Sequence, residues 1–196
     1  MSERSVPARN DELLAASMRA FAARGYFGTT TAQVAEQMGV SQPYVIQAYG
    51  SKRLLFIRTH AHAGEMIIDT FRTAPVRGFD PQRLGAAYRE LVLSKPEAVL
   101  VHAHGFSAAT AEPEIGRESR RLFGEVYRTL CDKGGSDDEV ASFIGRGMLI
   151  NNLMLMEAAR FADEHAFRGL VETILRIPSP GTDRPPLPDP ALPHQE

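Results

Sequence analysis

The chain has 196 residues, and 22 Lys and Arg against 24 Asp and Glu give a formal net charge of −2. A balance this small identifies no partner by charge alone. Residues 1–60 hold seven basic and four acidic side chains (+3), whereas the remainder holds 15 basic and 20 acidic ones (−5). This split favours a polyanion-binding N-terminal segment on an acidic body, and a chance asymmetry is an equal alternative.

Cysteine usage and hydropathy indicate the compartment of the protein. Cys131 is the only cysteine, which excludes an intrachain disulfide and an all-cysteine metal cage and suits a reducing compartment. The N-terminus carries charges where a secretory signal needs an apolar run. The most apolar later stretch, 147–156, is much shorter than the roughly 20 residues of a membrane span. We therefore predict a cytoplasmic protein with no membrane association.

The first helix is predicted over residues 9–24. Leu14, Met18 and Phe21 fall at i, i+4 and i+7, which places them on one face of a helix. Gly25 follows at the position where glycine often terminates a helix. This segment therefore predicts an amphipathic helix with a buried stripe.

Three more helices follow, each marked by its own capping residues. The threonines at 29–31 offer N-caps for a helix that Gly39 ends. Ser41 offers the N-cap of a third helix, about 42–48, with a proline in its first turn. Serine at position 51 begins a fourth and longer helix, 51–72.

Proline punctuation divides the remainder of the chain into further helices. Predicted segments begin near Gln82, Pro96, Glu112, Ser136 and Glu164. The helix 136–162 is apolar nearly all round, which predicts burial on more than one side. Seven prolines within 178–196 predict a disordered tail. Because no stretch alternates apolar and polar residues as a strand does, the predicted fold class is all-α.

Residues 25–56 form the most informative segment. Gly39 permits a sharp reversal between two short helices, Val40 fills the space between them, and Ser41 caps the second helix, which makes a helix-turn-helix. The pattern includes Gly25-Tyr26, Thr29-Thr30, Val34-Ala35, Gly39-Val40-Ser41, Tyr49-Gly50-Ser51-Lys52 and Leu55-Phe56. With these residues and spacings, the first third of the chain resembles the tetracycline-repressor (TetR/AcrR) family of bacterial transcriptional regulators.

The resemblance implies a division of labour along the chain. It implies a three-helix DNA-binding domain over residues 1–56, with the helix 51–72 as connector. It further implies a helical ligand-binding and dimerisation domain over 73–177. The expected partners are double-stranded DNA with a palindromic operator, a second copy of the chain and a small, largely apolar molecule. No cofactor is expected.

The candidate DNA contacts lie on and around the third helix. A glutamine can pair with adenine, so Gln42 and Gln47 are candidate base readers, with plain solvated surface as the alternative. The Thr30 hydroxyl can contact a phosphate, cap its helix, or do both. Tyr49 is as well explained by packing, and the resemblance makes Lys52 a phosphate contact. The predicted DNA-binding residues are Thr30, Ser41, Gln42, Pro43, Tyr44, Gln47, Tyr49 and Lys52.

One position departs from the family pattern. Ile46 stands where an aromatic residue, commonly tyrosine, is usual. Tyr44 lies nearby on the same helix, as in a subset of the family that has a similar sequence here. We therefore expect Tyr44 to replace the missing contact.

The resemblance also implies a dimer formed by the last two helices. Small Gly145 and Gly147 would allow two helices to approach closely. An ordinary monomer core is the alternative. The predicted interface residues are Phe143, Gly147, Ile150, Met154, Phe167, Leu170, Val171 and Ile174.

Aromatic and methionine side chains in the body predict an apolar ligand pocket. At helical spacing the same side chains also form ordinary core, which is the more frequent outcome. The predicted pocket residues are Met66, Phe106, Phe123, Tyr127, Met148, Asn152 and Met156.

Metal and catalytic functions have little support in the sequence. His60 and His62, like His102 and His104, are two residues apart, and that spacing on a helix points the rings about 200° apart. No phosphate loop or hydrolase signature is present. We therefore predict a ligand-responsive DNA-binding repressor that is not an enzyme. The alternatives are a DNA-binding regulator whose pocket binds no inducer and, more remotely, an all-α enzyme.

Overall fold

The computed structural model describes residues 6–164 and 166–175, with side chains from residue 11 onward. The described residues form ten helices and no strand, which confirms the all-α prediction. The predicted tail, 178–196, and the last two residues of the predicted body domain lie outside the described residues. The helices are α1 (Val6–Gly28), α2 (Thr31–Met38), α3 (Gln42–Tyr49), α4 (Lys52–Thr73), α5 (Pro81–Ser94), α6 (Pro96–Ala108), α7 (Pro113–Asp132), α8 (Asp137–Leu155), α9 (Ala158–Phe161) and α10 (Arg168–Leu175).

Local signals set the boundaries of the first three helices. Gly25 interrupts α1 with a φ of 65°, a left-handed conformation that glycine adopts without steric cost. Thr30 caps α2 through a capping box with Gln33. Gly39 ends α2, again in the left-handed region, and Ser41 caps α3 by accepting a hydrogen bond from the Tyr44 amide. The predicted caps and glycine stops of α2 and α3 are therefore present, whereas α1 begins at Val6 and continues past the kink at Gly25 to Gly28.

The buried apolar side chains form two clusters. An N-terminal cluster is formed by residues of α1, α2, α3 and α4, together with residues of α6 and α7. A body cluster is formed by residues of the helices from α4 through α10. α4 contributes Leu55 and Phe56 to the N-terminal cluster, and Ile67, Ile68 and Phe71 to the body cluster. One continuous helix of 22 residues is therefore part of both cores.

Two histidines from different helices meet between the clusters. His60 on α4 is fully buried and His102 on α6 nearly so, with their ring centroids 5.2 Å apart. His60 Nε2 lies 3.0 Å from Ser119 Oγ on α7. A Cβ at position 105 would approach the His60 ring to 2.5 Å, so Gly105 is what admits the ring. The junction is therefore a closely packed polar contact among three helices.

Burial keeps both histidines uncharged. Desolvation, followed by the positive charge of Arg121, lowers the pKa of His60 to about 4. Desolvation, followed by the neighbouring His60, lowers the pKa of His102 to about 3. Both rings are therefore neutral near pH 7.

The region predicted as one helix over 136–162 is divided in the structure. α8 ends at Leu155, and Glu157 adopts a left-handed conformation with φ 49° and ψ 35°. This turn directs Ala158 and Ala162 into the body cluster, where they are 1% and 3% exposed. The prediction of one continuous helix was wrong because neither glycine nor proline marks the break, and tertiary packing overrides the local helix pattern.

None of the described helices combines the length and the apolar content that a bilayer crossing requires.

We expect the two buried histidines to make stability fall on acidification. Below the unfolded-state pKa of about 6.5 the unfolded chain binds protons that the folded chain excludes. The free energy of unfolding should therefore decrease between pH 6.5 and 4, by up to about 1.4 kcal/mol per pH unit for each histidine. Urea unfolding at several pH values measures this slope.

The variant His60→Asn/His102→Asn should have a shallower pH slope, whatever its stability at pH 7. His62→Asn is the matched control, because His62 lies half-buried on the same helix and outside this pair. Equal pH slopes in the wild type and the double variant would contradict the assignment.

Candidate nucleic-acid interface and body cavity

Hydrogen bonds fix the angle between α2 and α3. The Val40 amide donates to the Ala35 carbonyl over 3.0 Å, which closes the turn after α2. Gln42 Nε2 donates to Thr31 Oγ1 over 2.9 Å and so joins the starts of the two helices. Val45, 1% exposed, anchors α3 from the inside. The helix-turn-helix is therefore held as a rigid unit.

One face of α3 is exposed. Gln42, Pro43, Ile46 and Gln47 are open to solvent, which is the arrangement expected of positions i, i+1, i+4 and i+5 on a helix. Ser41, just before them, is also exposed and caps the helix. The exposed face therefore consists of uncharged side chains next to a helix N-terminus.

The two predicted tyrosines differ in burial. Tyr44 is half-buried, whereas Tyr49 is 4% exposed and packs in the N-terminal cluster. The Arg58 guanidinium lies 5.6 Å from the centroid of the Tyr49 ring. Burial is the main cause of the raised pKa of Tyr49. The packing alternative therefore describes the surroundings of Tyr49, and its DNA contact stays a prediction.

Thr30 is fully engaged in its cap. Its Oγ1 accepts from the Gln33 amide at 3.2 Å and also lies 3.3 Å from Gln33 Oε1, to which the Thr30 amide donates at 2.9 Å. The side chain is exposed. The capping role of Thr30 is therefore present, and its contact with a phosphate stays a prediction.

Lys52 links the start of α4 to the end of α1. Its Nζ donates to the carbonyls of Tyr26 and Thr29 over 3.0 and 3.1 Å. The same ammonium lies 4.5 Å from the centroid of the Tyr26 ring. An ammonium has three donors, so one hydrogen remains for a further acceptor. This positioning role could not be recognised from the sequence, because the accepting carbonyls depend on the turn at Gly25.

Polar side-chain contacts connect the helix-turn-helix region to the body. Tyr26 Oη donates to Glu112 Oε1 at 3.0 Å, and Arg53 Nε lies 2.7 Å from Glu114 Oε2. His104 Nε2 lies 3.2 Å from the Ala22 carbonyl. Burial, then the hydrogen bond to Glu112, raises the pKa of Tyr26. The first two contacts fix the start of α7 against the helix-turn-helix region, and the third fixes α6 against α1.

A cavity of about 530 Å³ lies in the body. Its walls come from α4, α5, α7 and α8, and His102 contributes to it from α6. Of the predicted pocket residues, Phe123 and Met148 line this cavity. Three residues that were predicted for the dimer interface line it as well, namely Phe143, Gly147 and Ile150.

The other predicted pocket residues are not among the residues that line this cavity. Met66 and Phe106 are half-buried elsewhere in the helical packing, and Tyr127 donates a hydrogen bond to Asp137 at the surface. Asn152 and Met156 are exposed because they lie on the outer face of α8 and just beyond it. Periodicity does not distinguish the inner from the outer face of a helix that is apolar on several sides.

The predicted dimer residues occupy different environments in the protomer. Val171 and Ile174, like Ile150, are buried in the body cluster. Met154 and Phe167 are half-buried, and Leu170 is 46% exposed. Of this set, Leu170 has the most side-chain surface available for a partner.

An all-α chain has the architecture of a helix-turn-helix DNA-binding protein when it holds a rigid helix-turn-helix whose second helix, here α3, has one exposed face. Residues 13–59 match the family described as bacterial regulatory proteins, tetR family. The resemblance of the helix-turn-helix segment to this family is thereby confirmed. A comparison with curated protein sequences gave no match.

Solved structures show the same fold. A transcriptional regulator from Rhodococcus sp. Rha1 has a TM-score of 0.61 and 19% identity, over 87% of this chain and 92% of the other. A TetR-like transcriptional regulator from Rhodococcus sp. RHA1 gives 0.56 and 21%, over 87% and 99%. A TetR family transcription regulator from Marinobacter aquaeolei VT8 gives 0.56 and 17%, over 87% and 93%.

We expect the variant Thr30→Ala to destabilise the protein by about 1 kcal/mol, because it removes the side-chain acceptor of the capping box. Thr30→Ser keeps the hydroxyl and should restore most of the loss. Thermal unfolding followed by circular dichroism measures both variants. Equal stability of the alanine and serine variants would show that the cap contributes little.

Proposed function

We propose that the protein is a sequence-specific, dimeric repressor that binds a palindromic operator in the cytoplasm and is released by a small, largely apolar molecule. The observation that carries the DNA-reading part is the exposed, uncharged face of α3 on a rigid helix-turn-helix. In this proposal residues 1–56 bind DNA, the helix 51–72 connects, and residues 73–177 form the dimer and the ligand site.

Base reading is assigned to α3 and phosphate contact to its surroundings. Gln47 is exposed and can pair with adenine through its amide in the major groove. Gln42 is exposed as well, but its amide already donates to Thr31, so its first role is to position α3. The third hydrogen of the Lys52 ammonium and the N-terminus of α2 are available to phosphates.

Dimerisation is assigned to the outer faces of α8 and α10. Ala141, Gly145, Asn152 and Met156 follow one exposed line along and just beyond α8. A Cβ at Gly145 would meet nothing within 4 Å, so a partner helix can approach closely there. Leu170 adds exposed apolar surface on α10. Two-fold pairing through this surface would present two helix-turn-helix units to half-sites about 34–36 Å apart.

The ligand response is assigned to the body cavity. Its volume of about 530 Å³ falls in the range of about 300–1,000 Å³ that is typical of small-molecule sites. Ile67 and Phe71 on α4 line it, and the same helix begins at Lys52 beside the helix-turn-helix. A ligand that prefers another position of α4 would shift the dimer away from the spacing of its helix-turn-helix units that DNA requires.

We expect Gln47→Ala to change sequence preference and Lys52→Gln to weaken binding to all sequences alike. Losing a bidentate base contact costs about 1–3 kcal/mol of discrimination at one position of each half-site. Losing a phosphate contact lowers the slope of log affinity against log salt by about 0.9 per contact. Selection from a random DNA library, followed by gel-shift titrations at several salt concentrations, measures both effects.

Gln37→Ala is the matched control, because Gln37 is an exposed glutamine on α2. Melting curves of Lys52→Gln separate lost affinity from lost folding, since Lys52 also holds α1. An unchanged preferred sequence in Gln47→Ala would remove Gln47 from the base-reading face. A change of preferred sequence in Lys52→Gln would contradict its assignment to phosphate.

We expect the wild-type chain to sediment as a dimer at micromolar concentration and Leu170→Glu to weaken dimerisation about tenfold or more, because it places a charge in an apolar interface. Leu93→Glu is the control, since Leu93 is an 82% exposed leucine on α5. A monomeric wild type would contradict the dimer. Unchanged dimerisation of Leu170→Glu would place the interface elsewhere.

A further inference from the structure

The buried polar groups of the body cavity are all uncharged. Tyr88, His102 and Asn151 line it and are 6%, 5% and 4% exposed. Tyr88 Oη donates to Asn151 Oδ1 over 2.6 Å, which uses the Tyr88 proton and the Asn151 amide oxygen. His102 Nδ1 is buried and has no hydrogen-bond partner among the described residues. The cavity wall therefore includes a histidine ring with unused hydrogen-bonding capacity.

The charged lining residues lie towards solvent and balance one another. Asp138, Glu139 and Arg146 are exposed, and Arg89 is half-buried. Glu139 is used in the cap of α8 at Ser136, and Arg146 Nη2 donates to a backbone carbonyl of α10. Two carboxylates and two guanidinium groups give the lining no net charge. The cavity therefore has no excess charge to neutralise an ionic ligand.

Protonation keeps the interior neutral near pH 7. Burial holds the pKa of His102 at about 3 and raises the pKa of Tyr88 above its usual range. A carboxylate or ammonium group in this interior would lose its hydration without gaining a counter-charge, which is costly. A neutral polar group carries a much smaller desolvation penalty.

The apolar wall is rich in aromatic rings. Phe71, Phe123 and Phe143 line the cavity with Ile67 and Val126. Phe71 and Phe143 already pack edge to face, with ring centroids 5.6 Å apart. Rings of this kind accommodate a further aromatic ring in stacked or edge-to-face contact. The shape-filling part of the ligand is therefore best matched by an aromatic group.

We propose that the cavity binds a neutral aromatic molecule with a hydroxyl group, and that this hydroxyl hydrogen-bonds to the His102 ring. A neutral imidazole has one N–H donor and one bare nitrogen acceptor, and a hydroxyl group can pair with either. The inference rests on the proposed ligand response of the same cavity and specifies the chemical class of the ligand.

A series of biphenyl probes with different head groups tests this assignment on the full-length wild-type protein. The probes are 4-phenylphenol (neutral hydroxyl), biphenyl (no head group), 4-phenylbenzoate (anion) and 4-phenylbenzylamine (cation). Isothermal titration calorimetry at pH 7.5 gives the four affinities. We expect 4-phenylphenol to bind about tenfold more tightly than biphenyl, and both ionic probes to bind more weakly than 4-phenylphenol by at least the same factor.

The variant His102→Phe keeps an aromatic ring and removes both nitrogens. It should abolish the tenfold advantage of 4-phenylphenol over biphenyl and leave biphenyl binding nearly unchanged. His62→Phe is the matched control, because His62 is not among the lining residues. If His102→Phe does not fold, His102→Asn serves as the second variant, and its amide should retain part of the advantage.

Several results would overturn the inference. These are absence of binding by all four probes, tightest binding of an ionic probe, equal binding of biphenyl and 4-phenylphenol, or an advantage that survives His102→Phe. Gel shifts with added probe test the proposed ligand response separately. If 4-phenylphenol binds through His102 and DNA affinity stays constant, the ligand response fails and the head-group assignment stands. If only an ionic probe releases DNA, the ligand response stands and the head-group assignment fails.

Discussion

The sharing of α4 between two hydrophobic cores is the constraint on which the rest of the structure depends. Leu55 and Phe56 are buried in the N-terminal cluster, and Ile67 and Ile68 in the body cluster, on the same uninterrupted helix. At 1.5 Å per residue its 22 residues span about 33 Å. Because the packed interior resists deformation, the orientation of the helix-turn-helix depends on the packing of the body.

The histidine pair gives this shared helix a contact with the cavity wall. His102 lines the cavity, its ring centroid lies 5.2 Å from that of His60 on α4, and the His60 centroid lies 6.0 Å from that of Phe56. Phe56 in turn packs edge to face on Phe21 of α1 at 4.9 Å. Any ligand that displaces the His102 ring therefore acts on a side chain of α4 directly, because Gly105 leaves the His60 ring little free space.

The parts of this architecture that sequence could predict are those encoded within a few neighbouring residues. Thr30 and Gln33, Gly39 and Ser41 encode their own caps and turns, so the helix-turn-helix and the all-α class follow from local patterns. The face of α3 formed by Gln42, Pro43, Ile46 and Gln47 is also exposed, although its DNA contacts remain predictions.

The rest depends on partners far apart in the chain. Tyr26 and Glu112 are 86 residues apart, and His60 meets His102 from another helix, so no periodicity reveals either contact. The sequence pattern does not distinguish the inner from the outer face of α8, because apolar residues lie on several of its faces. Tertiary packing therefore decides which face is buried. The break at Glu157 has no local marker at all.

The structure also changes the meaning of the small positive charge of the N-terminal segment. Lys52 directs two of its donors to backbone carbonyls, and Arg53 forms an ion pair with Glu114. Arg53 and Glu114 are 47% and 46% exposed, and a pair this exposed contributes at most about 1 kcal/mol. A phosphate can therefore replace Glu114 at little cost, whereas the carbonyl contacts of Lys52 maintain the fold. The charge of this segment thus includes Lys52, which positions the fold, and Arg53, which can exchange its partner. In the proposed function, sequence discrimination therefore falls to the uncharged face of α3.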